Sequence, residues 1–312
     1  MSDIPRFTRA GDGPLLDLDA IRWPAKRPTI MFPTVVEAPA WITAPLDRLY
    51  MYYASHHGTG LGLATAPEPE GPWTVREPIF MLDDAPMIAG HVSSPDVLID
   101  EAARRVYLYY HGSNADGPGQ VMGCAVGYDG VHFEVENRDP LIRPSEREGA
   151  WDSHSTAYLR PFRVGGRIFG AYMGNGGASV PGVAYNCQGL LRSRDYVHWE
   201  RVREEPLLAP DERDDWGTIR HCGVLVRDES TLEVYYSTRT GPELEREVLR
   251  MARVDASDPA EQWQAEKLGT VLEPELPWEG DDLRDPYPFE WRGRLYLFYA
   301  GGLEAGIGLA VA

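Results

Sequence analysis

The chain has 312 residues with 30 Lys+Arg against 48 Asp+Glu, a formal net charge of −18, and 43% hydrophobic residues. That composition belongs to a globular protein with a sizeable core, and it excludes a disordered chain and a general nucleic-acid or anionic-membrane binder, both of the latter needing a basic footprint. No apolar run approaches the roughly 20 residues of a membrane helix, Met1–Arg6 lacks the apolar segment of a signal peptide, and Cys124, Cys187 and Cys222 are too scattered for a disulfide framework or a zinc site.

A cytoplasmic protein is therefore expected. Long runs of helical periodicity are almost absent, so helix is a minor component. In chain order, Phe7…Pro14-Leu-Leu16 comes first. An aromatic strand follows at Leu49–Tyr53 and returns at Val106–Tyr110, Ile168–Tyr172, Leu232–Ser237 and Leu295–Tyr299. With Tyr53, Tyr110, Tyr172, Tyr236 and Tyr299 as markers, the steps are 57, 62, 64 and 63 residues. An apolar strand and a turn precede each marker, and a strand rich in Gly and Ala follows it. Gly60–Ala66 and Gly306–Ala312 are near copies, each starting seven residues after its tyrosine.

A fourth element carries an aromatic and then Pro plus two apolar residues, as in Trp73…Pro78, Phe133…Pro140 and Trp199…Pro206, with a divergent copy at Trp263. Its fifth copy is missing after Ala312, but Phe7…Pro14 has the same seven-residue offset as Phe133…Pro140 and Trp199…Pro206. This permutation predicts an all-β fold, a five-bladed β-propeller forming one domain over residues 1–312. An N-terminal strand in the last blade closes the ring and leaves no open edge. A sandwich of irregular strands explains neither the repeat nor the permuted strand.

In a propeller the innermost strand of each blade lines the channel, and its opening residues gather at one end. Those openings hold Glu37 and Trp41 in repeat one and Asp96 in repeat two. Repeat three holds Trp151, Asp152 and His154, repeat four His221, and repeat five Arg284, Asp285 and Tyr287; His57 follows the first marker strand. Asp96 and Asp285 each lie 14 residues before their tyrosine and His221 lies 15 before its own, which predicts nearly equivalent places. Carboxylates, imidazoles and a guanidinium crowded together shift one another's pKa values. Glycoside hydrolysis uses such an arrangement, one group protonating the leaving oxygen while another activates water or attacks.

Ser94-Pro-Asp-Val97 before a Tyr-Tyr strand resembles the second-blade motif of the family 43 glycoside hydrolases, the arabinanases and xylosidases. Trp151-Asp-Ser-His154 and Arg284-Asp-Pro286 are looser echoes within the wider group that includes the invertases and neoagarobiose hydrolases. The resemblance implies a glycosidase in which Asp96 tunes the acid's pKa and orients substrate. The family's first-blade aspartate has no clear counterpart, Glu37 being the nearest acid, and its Glu-Gly-Pro reads His221-Cys-Gly223. A histidine acid at that place is similar to the neoagarobiose hydrolase variation, and an imidazole pKa near 6.5 suits proton donation near neutrality.

The expected roles are His221 as acid, Asp285 or Glu37 as base or nucleophile and Asp96 as tuner. Asp152, His154, Arg284, Trp41, Trp151, Tyr287 and His57 are expected to bind the sugar. The expected substrate is a small oligosaccharide or glycoconjugate. The alternatives are a phosphorylase or sugar transferase in the same pocket, or a carbohydrate-binding propeller without catalysis. No cofactor is required; related propellers hold an axial calcium, which makes His221 with carboxylate partners a candidate metal site. Neither nucleic acid nor membrane is an expected partner.

Overall fold

The computed structural model describes residues 4–180, 183–211, 215, 217–241 and 246–312. The strands form five antiparallel sheets, and helix is confined to single 3₁₀ turns among the described residues. From the axis outward, blade I is Met31–Glu37, Leu49–Ala54, Gly60–Ala66 and Thr74–Val75, and blade II is Ile88–Asp100, Arg105–Asn114, Gln120–Gly127 and Glu134–Val135. Blade III is Ser155–Val164, Arg167–Val180, Val183–Ser193 and Trp199–Arg201; blade IV is Ile219–Val226, Thr231–Arg239, Glu247–Asp255 and Ala265–Leu272. Blade V is Leu283–Trp291, Arg294–Gly301 and Gly306–Val311, completed by the N-terminus. Each inner strand touches that of the next blade, and blade V returns to blade I, so the ring is closed.

The expected closure is present, split into two short pieces. Thr8 pairs with Val311 and Arg9 with Ala310, while Leu16 pairs with Ile307 and Asp17 with Gly306.

The repeat has a packing cause. The glycine paired with the marker tyrosine lies under its ring: Gly62 opposite Tyr53, Gly123 opposite Tyr110, Gly189 opposite Tyr172 and Gly308 opposite Tyr299. A Cβ on Gly62, Gly123, Gly189 or Gly308 would sit 2.4, 2.6, 2.3 or 2.7 Å from the ring, so only glycine fits. Blade IV breaks the pattern with Arg250 opposite Tyr236.

A second recurring contact ties the blades' outer strands. Tyr172 donates to Asp152 Oδ2 at 2.7 Å, and Arg201 on the outer strand donates to the same oxygen at 2.8 Å. In blade V, Tyr299 donates to Glu279 at 2.6 Å and Arg9 reaches that carboxylate at 3.0 Å. Arg9 therefore latches the N-terminal strand as Arg201 latches blade III. Trp151 and Trp278, each just before its acid, stack against the same tyrosines at 5.4 and 6.0 Å between ring centroids. Trp151 and Asp152, expected to bind sugar, thus belong to a structural latch, because their polar atoms are committed to Glu204, Tyr172 and Arg201.

No described helix is long and apolar enough to cross a membrane.

Candidate active site

Each inner strand gains one residue over its neighbour at the same place. Pairing holds at Met31, Ser93, Ala157, Arg220 and Arg284. It holds again three residues on, at Thr34, Asp96, Arg160 and Tyr287, while the partner strand advances by two; in blade IV it resumes at Cys222, two residues on, while the partner advances by one, so that Gly223 is the equivalent position. The first residue of each bulge is Phe32, Ser94, Tyr158, His221 or Asp285. Four of the five are left-handed, with φ of 62° at Phe32, 53° at Ser94, 57° at Tyr158 and 52° at Asp285. A left-handed residue with a bulky side chain costs about 1–2 kcal/mol. Bulges re-aim side chains, and here they bring five unlike groups together where the inner strands begin.

The chemistry of this ring centres on a dyad. His221 Nδ1 lies 2.6 Å from Asp285 Oδ1. The other oxygen of Asp285 accepts the Phe32 backbone N–H at 3.4 Å. Asp285 is fully buried and His221 nearly so. The Phe32 ring stands edge-on to His221 at 5.4 Å, and Tyr158 lies 4.5 Å from it on another side. With Nδ1 in close contact with the Asp285 carboxylate, Nε2 is the nitrogen left for the funnel. Burial lowers the His221 pKa, and Asp285 only partly offsets it. The ring is therefore neutral near pH 7, with a free lone pair.

A charged belt surrounds the dyad. Glu304 meets His56 Nδ1 at 3.1 Å and Arg284 at 2.5 Å. Arg284 also reaches Glu247 at 2.7 Å and Asp282 at 3.0 Å, and Arg220 pairs with Glu247 at 2.8 Å. Burial opposes the ionisation of Glu304, but the His56 hydrogen bond and the charges of His56 and Arg284 prevail and bring its pKa to about 2. From His56 a chain of imidazoles runs across the rim: His57 stacks on His56 at 4.4 Å, His91 follows at 5.3 Å and His111 at 5.7 Å. Burial lowers the pKa of His91 to about 4 and that of His111 well below its ordinary value.

Of the residues expected at the site, His221, Asp285, Arg284 and His57 come together here. Asp96 lies one level deeper, where Arg160 meets it at 3.1 Å, both side chains being buried. Arg160 also bonds Thr34 Oγ1 and the carbonyls of Pro95 and Cys222 at 3.0–3.3 Å, plugging the shaft across four blades. Tyr287, at the register position of Asp96, is half-buried beside that pair and feels both charges. Asp96 and Asp285 share a distance to their tyrosines but not a place, because the turn after the inner strand spans 101–104 in blade II and 292–293 in blade V.

Glu37 closes the inner strand five residues beyond Phe32, about 16 Å along at 3.3 Å per residue, and it is exposed. Beyond it, Trp41 donates its indole N–H to the Tyr128 carbonyl at 3.1 Å. Neither reaches the mouth. His154 is exposed just before the inner strand of blade III. Sequence reasoning missed Phe32, Tyr158, His111 and Glu304; no motif marks them, because the bulges that place them depend on strand register.

The site does not fit the expected calcium. Among the described residues no three His, Cys, Asp or Glu side chains converge to hold a metal ion. His221 Nδ1 is committed to Asp285, and the Arg160 guanidinium already occupies the axial carbonyls that a cation would need.

No family model matches the chain. It is 26% identical to an uncharacterised protein of Acanthamoeba polyphaga mimivirus over 89% of this chain and 82% of that one. With an uncharacterised protein of Mycobacterium tuberculosis it shares 27% identity over 65% of this chain and 66% of the other. Solved structures share the architecture across nearly the whole chain. An endo-arabinase from Bacteroides thetaiotaomicron superposes with a TM-score of 0.69 at 12% identity, covering 96% of each chain. A thermostable family-43 glycoside hydrolase gives 0.68 at 14% identity over 91% and 88%. A family-43 enzyme from Xanthomonas citri complexed with xylose gives 0.64 at 14% identity over 96% and 89%. The fold is the five-bladed propeller that these family-43 enzymes share. At these identities the likeness is one of fold.

Proposed function

We propose that this family-43-like propeller is a glycoside hydrolase acting on a small oligosaccharide or glycoconjugate, with the His221–Asp285 dyad moving the proton. The observation that carries the reading is the dyad's geometry: a neutral imidazole held at Nδ1 by a buried carboxylate 2.6 Å away, its Nε2 free at the strand openings. The fold shared with glycosidases supports it.

The division of labour differs from the sequence expectation. A glycosidase acid and base stand roughly 5–10 Å apart across the sugar, whereas His221 and Asp285 touch and work as one unit. Asp285, fully buried, with one oxygen accepting the Phe32 N–H and the other 2.6 Å from His221 Nδ1, orients the ring and stabilises the imidazolium. A lowered pKa makes His221 a base that takes a proton from attacking water, in place of the acid expected from its reference pKa. Arg284 and His57 on the rim supply hydrogen bonds to sugar hydroxyls.

The test is a panel of dinitrophenyl and alkyl glycosides together with short oligosaccharides. Replacing His221 by Ala lowers kcat/KM about 10²–10⁴-fold on good and poor leaving groups alike, since the base acts on water. Cleavage that requires inorganic phosphate identifies a phosphorylase. Sugar binding without cleavage of any substrate overturns the reading in favour of a carbohydrate-binding propeller, which the apolar Phe32 in the first blade would suit.

A further inference from the structure

Tyr158 occupies in blade III the bulge position that Phe32 occupies in blade I. Both are left-handed, at 57° and 62°, and both pack a ring beside His221. Phe32 demonstrates that this position is filled by a ring with no hydroxyl, so packing does not require the phenolic oxygen of Tyr158. Tyr158 is 4% exposed. Its hydroxyl makes no hydrogen bond to the described residues, and the oxygen keeps a trace of exposure. The ring is wedged between His111 at 4.2 Å and His221 at 4.5 Å. A left-handed, nearly buried tyrosine beside His221 at the strand openings, with its hydroxyl unbonded, is placed to meet a ligand.

We propose that Tyr158 is a catalytic residue that donates its phenolic proton to the departing glycosidic oxygen while His221 acts on water. The inference rests on the glycosidase reading and adds the acid that the dyad leaves unfilled. In the step, the water oxygen bonds to the anomeric carbon as the bond from that carbon to the leaving oxygen breaks. The water's proton passes to His221 Nε2 and the Tyr158 proton to the leaving oxygen. The imidazolium then returns its proton to the phenolate, and nothing else is consumed. Burial, reinforced by the charges of Asp285 and Glu304, holds the phenol well above its ordinary pKa, so it stays protonated and serves as a donor and not as a nucleophile.

Tyr158→Phe removes one oxygen and no protein hydrogen bond, so its thermal melt should match the wild type. Activity is compared on dinitrophenyl and alkyl glycosides of the sugar that the wild type cleaves. The expected result is a loss of about 10²–10⁴-fold on the alkyl glycoside and less than about tenfold on the dinitrophenyl one, which needs no proton. His221→Ala, by contrast, should lose equally on both. Equal losses for Tyr158→Phe, or negligible loss on either substrate, overturn the role of Tyr158 and leave the glycosidase reading standing. A wild type that cleaves neither substrate overturns that reading and the inference together.

Discussion

The two levels of the shaft are built from the same five strands, a few residues apart, and differ in nearly every respect. At the mouth, Phe32, Ser94, Tyr158, His221 and Asp285 sit in bulges, four with left-handed backbone. There His221 is held at one nitrogen and Tyr158 has an unbonded hydroxyl. One level down, Thr34, Asp96, Arg160, Gly223 and Tyr287 resume regular pairing, and Arg160 is bonded to Asp96, Thr34 and two carbonyls. Gly223 belongs to this level because a Cβ there would lie 2.2 Å from the Pro286 carbonyl oxygen. Where the ladder is interrupted, polar groups are free to act; where it is regular, they are tied off and close the channel.

The sharpest way to break this contrast is to open the plug. Asp96→Leu buries the Arg160 charge without its partner, and urea denaturation at pH 8 should show a loss of about 3–5 kcal/mol. Adding Arg160→Met should recover most of it, since a buried pair replaced by apolar side chains is often neutral or stabilising. If the single change costs nothing, the plug is not a structural element.

The two levels should also answer pH with opposite signs. His91 titrates near 4 in the fold, so its contribution is complete above the ordinary 6.5 and is lost as pH falls towards 4, by roughly 3 kcal/mol. Burial raises Asp96 to about 6 despite Arg160, so its contribution is complete below the ordinary 3.8 and is lost as pH rises through 6. Urea midpoints between pH 4 and 7 should therefore rise less steeply with pH in His91→Phe and more steeply in the Asp96→Leu/Arg160→Met pair. Unchanged slopes in both would contradict the assigned environments.

Smaller effects sharpen the boundary. Tyr158→Phe should change unfolding free energy by less than about 0.5 kcal/mol, in contrast to Asp96→Leu, because no protein hydrogen bond is lost. Smallest of all, Glu37→Gln at the exposed far end should leave kcat/KM within about twofold and stability within about 0.5 kcal/mol. A large activity loss there would extend the site through the plug.

The sequence by itself determined the architecture. Marker tyrosines recur because four of the five lie over a glycine on the adjacent strand, and Phe7…Pro14 carries its blade's spacing because it completes the last blade. It also delivered His221, Asp285, Arg284 and His57 to the mouth, since polar groups at strand openings face the funnel. Only the tertiary structure separated Asp96 from Asp285, sent Glu37 and Trp41 to the far end, and placed Trp151 and Asp152 in a latch. It alone gathered Phe32, Tyr158, His111 and Glu304 around the dyad. Counting residues to a marker assumes equal turns and an unbroken ladder. Here a turn two residues longer in blade II and a bulge in every inner strand change the register, and register decides which side chain reaches the axis.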